Sequence, residues 1–291
     1  MKMLQIQNHS KLGFVAMALM IATLALSGCT QSSAQKAGDA KQPEKAEGKA
    51  MNVTSEVVEY TQGETTLEGY VARPKGDEKH PGILVVHNWM GLTDLTKQRC
   101  DALAEKGYVA FAADIYGKGV RPADAGEAGK QAGKYRADRA LLRARAQAAL
   151  DELKGMKQCD ASKVVAIGFC FGGGTVLELA RSGADVQGVV SFHGNLDTPN
   201  TEDAEQIKCK VLVQHGAEDF YVNMEAVTTF EQEMTAAQVD FQVVLYGGAV
   251  HSFTNPNAGD DKKSGSAYHK RTADRAWKLA YSFFEECCAD K

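Results

Sequence analysis

Polar and apolar positions alternate over Glu56 to Tyr60 and over Thr65 to Arg73. These two β-branched segments are split by Gly63-Glu64, which predicts an antiparallel opening hairpin. After Pro81-Gly82 the pattern changes to a continuous apolar run, Ile83-Leu84-Val85-Val86, as expected of a strand covered on both faces. Tyr108 to Ala113, Lys163 to Ile167, Val186 to Phe192, Val211 to Gln214 and Phe241 to Leu245 read the same way. Between them the period lengthens. Thr93 to Lys106 places Leu95, Cys100, Leu103 and Ala104 on one helical face and stops at Gly107. Pro122 to Lys157 is helical by composition, with a break expected near Gly133, and Phe171 to Arg181, Met224 to Ala237 and Ala267 to Glu286 complete the helices. Strands alternating with helices predict an α/β class fold, a mostly parallel twisted sheet with helices on both faces.

The first residues do not belong to that pattern. Residues 1 to 28 hold Lys2 and Lys11, no acidic residue, and an apolar run from Leu12 to Leu26. That run is shorter than the roughly twenty residues of a membrane span and is closed by small residues, so it reads as an export signal. Leu26-Ser27-Gly28-Cys29 resembles the bacterial lipobox, which predicts acylation of Cys29 and a lipid anchor in the cell envelope. Residues 29 to 50 carry almost no large apolar side chain and read as a flexible tether. The domain organisation expected is therefore signal 1 to 28, lipidated tether 29 to 50, and one domain over 51 to 291.

Charge narrows the partners. The chain has 33 Lys+Arg against 37 Asp+Glu, a formal charge of −4. No basic field is available for nucleic acid. Beyond Cys29 the cysteines are Cys100, Cys159, Cys170, Cys209, Cys287 and Cys288. Export would allow disulfides, and Cys287 or Cys288 could reach Cys100 if their helices pack side by side. No metal is expected, because no two histidines share a ligand spacing such as i, i+4.

Parallel α/β sheets place chemistry at the carboxyl ends of their strands. The strand Lys163 to Ile167 runs into Gly168-Phe169-Cys170-Phe171-Gly172-Gly173-Gly174 and then a helix. G-x-C-x-G at a strand-to-helix turn presents the central side chain in an exposed, strained position, and the helix N-terminus favours thiolate. The glycine spacing does not match G-x-G-x-x-G, and no P-loop Lys-Ser/Thr follows. A buried structural cysteine is the alternative reading. Asp219 lies just past the strand Val211 to Gln214, and His251 just past Phe241 to Leu245. The order Cys170, Asp219, His251 is that of nucleophile, acid and histidine in α/β-hydrolases. Glu218 is the competing acid, and His87, His193 and His215 sit at strand ends where they would line the site. Oxyanion donors are expected from the Phe171 N–H and, in His87-Asn88-Trp89-Met90-Gly91, from the Trp89 N–H.

With these residues in hand, the chain resembles the dienelactone hydrolase (carboxymethylenebutenolidase-like) family of α/β-hydrolases over roughly residues 53 to 287. Gly168 to Gly172, Asp219, His251-Ser252-Phe253, Gly107-Tyr108-Val109 and Asp114-Ile115-Tyr116 carry the resemblance. It implies an α/β-hydrolase fold and a cofactor-free hydrolase of small carboxylic esters or lactones that works through a thioester. It also implies a glutamate that helps to activate the cysteine, matched here by Asn88, and two arginines for a substrate carboxylate, matched by Lys118 and Asn255. Arg121 is a further cation for that carboxylate. Two other classes compete: a non-catalytic surface lipoprotein that keeps the fold for binding, and a redox thiol at Cys170, though no C-x-x-C supplies a resolving partner.

Overall fold

The computed structural model describes residues 51 to 289. The export signal, Cys29 and the tether lie outside the described residues. The chain opens with β1 (Val53–Gln62) and β2 (Thr65–Pro74), paired antiparallel from Val53 opposite Pro74 to Gln62 opposite Thr65. The hairpin turns at Gly63, whose φ of 57° needs no Cβ. Then follow β3 (His80–Val86), α1 (Asp94–Ala104), β4 (Val109–Ala113), α2 (Ala125–Ala137), α3 (Arg139–Gly155), β5 (Cys159–Phe169), α4 (Phe171–Arg181), β6 (Gly188–Phe192), β7 (Lys210–Gly216), α5 (Met224–Ala236), β8 (Phe241–Tyr246) and α6 (Lys270–Cys288).

One eight-stranded sheet results, in the order β1-β2-β4-β3-β5-β6-β7-β8, with β3 to β8 all parallel. Strand direction of travel reverses at β3: the chain steps outward to β4, then back across to β5. Such a switch point opens a crevice at the carboxyl ends of the two strands, where the loops diverge. Successive residues of the central strands face opposite ways. Leu84, Val86 and Ala166 join α3, α4 and α5 in one core, while Ile83, Val85, Val165 and Ile167 join α1 and α6 in the other. The alternation explains why these strands are apolar at every position.

Two expectations about the helices need correction. The long helical stretch breaks at Asp138, and Gly133 lies inside α2. Asp138 serves both helices: its N–H donates to the Lys134 carbonyl at 3.2 Å, and its carboxylate accepts from the Leu141 N–H at 2.9 Å. A mid-helix glycine costs only about 1 kcal/mol, so α2 runs through Gly133, and the chain breaks where the Asp138 carboxylate caps α3. The last helix starts at Lys270, because Ala267 and His269 donate their N–H groups to the carbonyls of His251 and Phe253. Those bonds tie the root of α6 to the loop that carries His251. All six described cysteines are free thiols. Cys100 and Cys287 do share the α1/α6 core, but each stays a thiol, and burial pushes Cys287 up to about 12.

Candidate active site

Cys170 occupies the turn between β5 and α4 with φ 55° and ψ −116°, a conformation that an L side chain rarely adopts. Its N–H donates to the Phe192 carbonyl at 3.0 Å, which pins the turn to the end of β6. The flanking glycines have steric reasons. A Cβ at Gly168 would come within 1.9 Å of the Gly172 carbonyl oxygen, and one at Gly172 within 2.4 Å of the Val86 oxygen. The turn is therefore wedged between its own helix start and β3, and only glycine fits on either side. Cys170 ends up half-buried.

His251 lies beside the Cys170 thiol, close enough that each shifts the ionisation of the other. On its other side, Nδ1 lies 2.7 Å from Asp219 Oδ2. Asp219 is fixed in turn, since its Oδ1 accepts the N–H groups of Tyr221 at 2.9 Å and Val222 at 3.1 Å. The competing acid is removed from the site: Glu218 is exposed and faces Lys262 at 3.8 Å. Cys170, His251 and Asp219 thus form one line across the ends of β5, β7 and β8, with a hydrogen bond between its last two members.

The electrostatics of that line favour an ion pair. Burial opposes the thiolate, yet the proximity and charge of His251, the Phe171 N–H and the field of Arg136 together hold the Cys170 thiol below its ordinary value. Burial likewise opposes the imidazolium, and the hydrogen bond to Asp219 and the neighbouring Cys170 overcome it, raising His251 to about 10. The two ionisations belong to the pair. Both shifts favour thiolate beside imidazolium over the neutral pair.

The loop after β3 is a tight turn. The Asn88 carbonyl accepts the Gly91 N–H at 3.1 Å, its side-chain Oδ1 accepts the Met90 N–H at 2.9 Å, and the Trp89 carbonyl accepts the Tyr116 hydroxyl at 2.9 Å. His87 holds this loop from beneath. Its Nε2 accepts the Ile115 N–H at 3.2 Å, so the proton sits on Nδ1 and is donated to the Asn88 carbonyl at 2.6 Å. Burial keeps His87 neutral, with its pKa pulled down to about 4. Its ring stacks on Phe171, 5.9 Å between centroids, which couples the loop to the start of α4.

The four residues matched to a substrate pocket are engaged elsewhere. The Lys118 ammonium pairs with Glu59 on β1 at 2.5 Å. Arg121 donates to the carbonyls of Gly117 and Val120 and pairs with Glu68 and the buried Asp114, at 3.5 and 3.6 Å. Asn255 caps a short 3-10 turn, its Oδ1 accepting the Asn257 N–H at 3.0 Å. Asn88, as described, turns its oxygen to Met90. The direction of each side chain is decided by the partner it meets.

Two further residues complete the site: Arg99, which the sequence did not single out, and His193, which it placed there. Arg99 on α1 is buried, donates to the Thr254 carbonyl and hydroxyl at 3.2 and 3.4 Å, and lies 3.4 Å over the Phe169 ring. Burial lowers it to about 9. It clamps the stretch after His251 to α1. The signal was present: Arg99 falls between Leu95 and Leu103 on the apolar face of its helix. His193, at φ 41°, bonds the same Thr254 hydroxyl through Nε2 at 2.8 Å and sets its ring edge-on to His251, 5.1 Å away. Burial and the nearby charges of His251 and Arg99 keep His193 neutral. Among the described residues, no carboxylate forms an ion pair with Arg136, which bonds Asn195 Oδ1 at 2.5 Å.

The family model described as the dienelactone hydrolase family matches residues 67 to 288. The chain is similar to Protein usf of Aquifex pyrophilus, 32% identical over 237 residues that cover 79% of this chain and 98% of that one. Among solved structures it is similar to a dienelactone hydrolase-like promiscuous phosphotriesterase from metagenomic libraries, with 41% identity, TM-score 0.78, and 81% and 99% of the two chains covered. A dienelactone hydrolase from Anabaena variabilis shares the fold at 22% identity and TM-score 0.60, covering 80% of this chain and 98% of that one. The fold, the strained turn at Cys170 and the extent of the family match agree, and the chain belongs to the dienelactone hydrolase family of α/β-hydrolases.

Proposed function

We propose that the protein is a cysteine hydrolase of small carboxylic esters or lactones, with Cys170 as nucleophile, His251 as acid and base, and Asp219 as the group that orients His251. The observation that carries this reading is the thiol at a strained strand-to-helix turn, beside a histidine that lowers its pKa and whose Nδ1 is 2.7 Å from a buried carboxylate. The Cys170 thiolate attacks the acyl carbon, and the carbonyl π pair moves to oxygen, where the N–H groups of Phe171 and Trp89 receive it. The tetrahedral intermediate collapses, the C–O bond breaks, and the His251 imidazolium gives its proton to the departing alkoxide. The thioester is then cleaved by water. Neutral His251 takes the water proton, hydroxide adds to the acyl carbon, and the thiolate leaves to restore the ion pair. No cofactor enters this cycle.

Neutral substrates fit better than anionic ones, because Lys118 and Arg121 are already paired with carboxylates and Asn255 carries no charge. The same proposal places the mature protein outside the cytoplasm, anchored by an acylated Cys29. Fatty-acid labelling that disappears in Cys29→Ala supports the anchor, and labelling that persists in the variant refutes it. The activity is tested by hydrolysis of short-chain aryl esters without added metal. Turnover that is lost in Cys170→Ala supports the hydrolase. A folded protein that neither turns over esters nor reacts with a thiol-directed ester probe would instead be a surface lipoprotein that keeps the fold for binding.

A further inference from the structure

The residues that follow Asp219 are two adjacent aromatics left in solvent. Phe220 is 60% exposed and Tyr221 59%. Their rings pack on each other at 4.7 Å between centroids, and the Tyr221 ring meets the His251 ring edge-on at 5.5 Å. Neither is loosely held. The carboxylate that orients His251 also accepts the Tyr221 N–H, and the Tyr221 hydroxyl donates to the Ser264 carbonyl at 3.1 Å. Phe220 lies so close over Gly265 that a Cβ there would come within 2.1 Å of the ring. Gly265, at φ 82°, is thus required twice, for its own turn and for the ring above it. Large rings fixed in an exposed position carry a free-energy cost that a bound apolar group removes.

We propose that Phe220 and Tyr221 are the platform for the alcohol part of the substrate, and that the preferred substrates are esters of aromatic or arylalkyl alcohols. The inference rests on the assignment of His251 as the acid in the proposed hydrolysis. His251 delivers its proton to the departing oxygen, so that oxygen must sit beside the imidazole, and the carbon chain it carries extends over the neighbouring aromatic pair. The acyl group lies on the opposite side, toward Phe171 and Trp89. A small lactone keeps its alcohol tethered to the acyl group and does not reach Phe220.

The test uses the full-length protein and acetates of ethanol, cyclohexylmethanol, benzyl alcohol and 2-naphthylmethanol, with γ-butyrolactone as the tethered case. The expected kcat/KM for the naphthylmethyl ester exceeds that for the ethyl ester by about tenfold, the scale of one aromatic contact with its buried area. Phe220→Ala should shrink the ratio at least about fivefold, chiefly through KM, and Phe220→Leu should fall between. 2-Naphthylmethanol should inhibit the unaltered protein at lower concentration than cyclohexylmethanol does. A flat ester series in the unaltered protein, or an unchanged ratio in Phe220→Ala, overturns the platform while Cys170-dependent turnover leaves the hydrolase reading standing. A change of oligomeric state in Phe220→Ala without a change of ratio would assign the patch to a second copy of the chain and overturns it as well. Ester turnover that survives Cys170→Ala overturns the hydrolase mechanism and this inference with it.

Discussion

The groups that react and the groups expected to bind the substrate are built differently. Toward His251 the functional groups lean on one another: the thiol on the charge of His251, His251 on Asp219, Asp219 on the backbone of Tyr221 and Val222, and Thr254 on Arg99 and His193. The groups expected to hold a substrate carboxylate, Lys118, Arg121, Asn88 and Asn255, each have partners of their own, and none is tied to the thiol by a hydrogen bond. The contrast suggests that the reaction is fixed by backbone geometry, while the choice of substrate depends on a few outward side chains that can change without disturbing the chemistry.

The largest effects test the groups that react. Cys170→Ala and His251→Ala should each lower ester kcat about 10⁴-fold or more, and the double variant should lose little beyond either one, because the pair acts as a unit. Additive losses measured in steady-state kinetics would mean that the two residues work separately. Asp219→Asn should cost about a thousandfold, since the amide leaves His251 in the wrong tautomer, whereas Glu218→Gln should stay within about twofold. Equal losses at the two positions would erase the distinction between the buried and the exposed carboxylate.

Stability probes the turn itself. Gly172→Ala would drive a Cβ against the Val86 and His87 carbonyl oxygens at 2.4 and 2.5 Å, so it should cost on the order of 3 kcal/mol and lower Tm by several degrees. Thermal unfolding at an unchanged Tm would show that β3 can retreat from the turn. The pH profile follows from the ion pair. The rate should rise with pH as the thiol ionises, below its ordinary value of 9.0, and fall as His251 loses its proton near 10. Linkage has the same signs. The stabilisation from the depressed thiol is present above its unfolded pKa and is lost as pH falls through the folded one. That from the raised imidazole is complete below 6.5 and is lost as pH rises toward 10. A kcat/KM profile that rises only above pH 9 would indicate a neutral thiol at rest.

The smallest effect belongs to the groups expected to bind the substrate. Lys118→Ala should change the preference between neutral and anionic esters by less than about twofold, because its ammonium is held by Glu59. A large loss on anionic substrates alone would place Lys118 in the pocket after all.

The sequence made the reaction side legible and left the substrate side dark for a physical reason. Cys170, Asp219 and His251 each follow a strand end directly, so apolar runs fix their positions once the sheet is parallel. The glycines at 168 and 172 mark a backbone constraint, which a sequence states openly. Side-chain direction at Lys118 or Asn88 depends on partners 59 or 2 residues away, Glu59 and Met90, and neither spacing nor periodicity encodes that choice. The break in the long helical stretch was misplaced similarly: Gly133 is the weaker helix former, yet Asp138 has the side chain that caps α3. Arg99 was legible in retrospect as a charge on an apolar face. Nothing in the pattern showed that it reaches Thr254, 155 residues away.

The central claim, a covalent acyl-enzyme on Cys170, is tested most directly by mass spectrometry of the protein quenched in acid after rapid mixing with excess 4-nitrophenyl acetate. The account predicts a mass gain of one acetyl group, located on the peptide that contains Cys170, released by hydroxylamine and lost in Cys170→Ala. Turnover with no acylated protein at any quench time, or an acetyl group on another residue that forms and decays at the rate of catalysis, would contradict it.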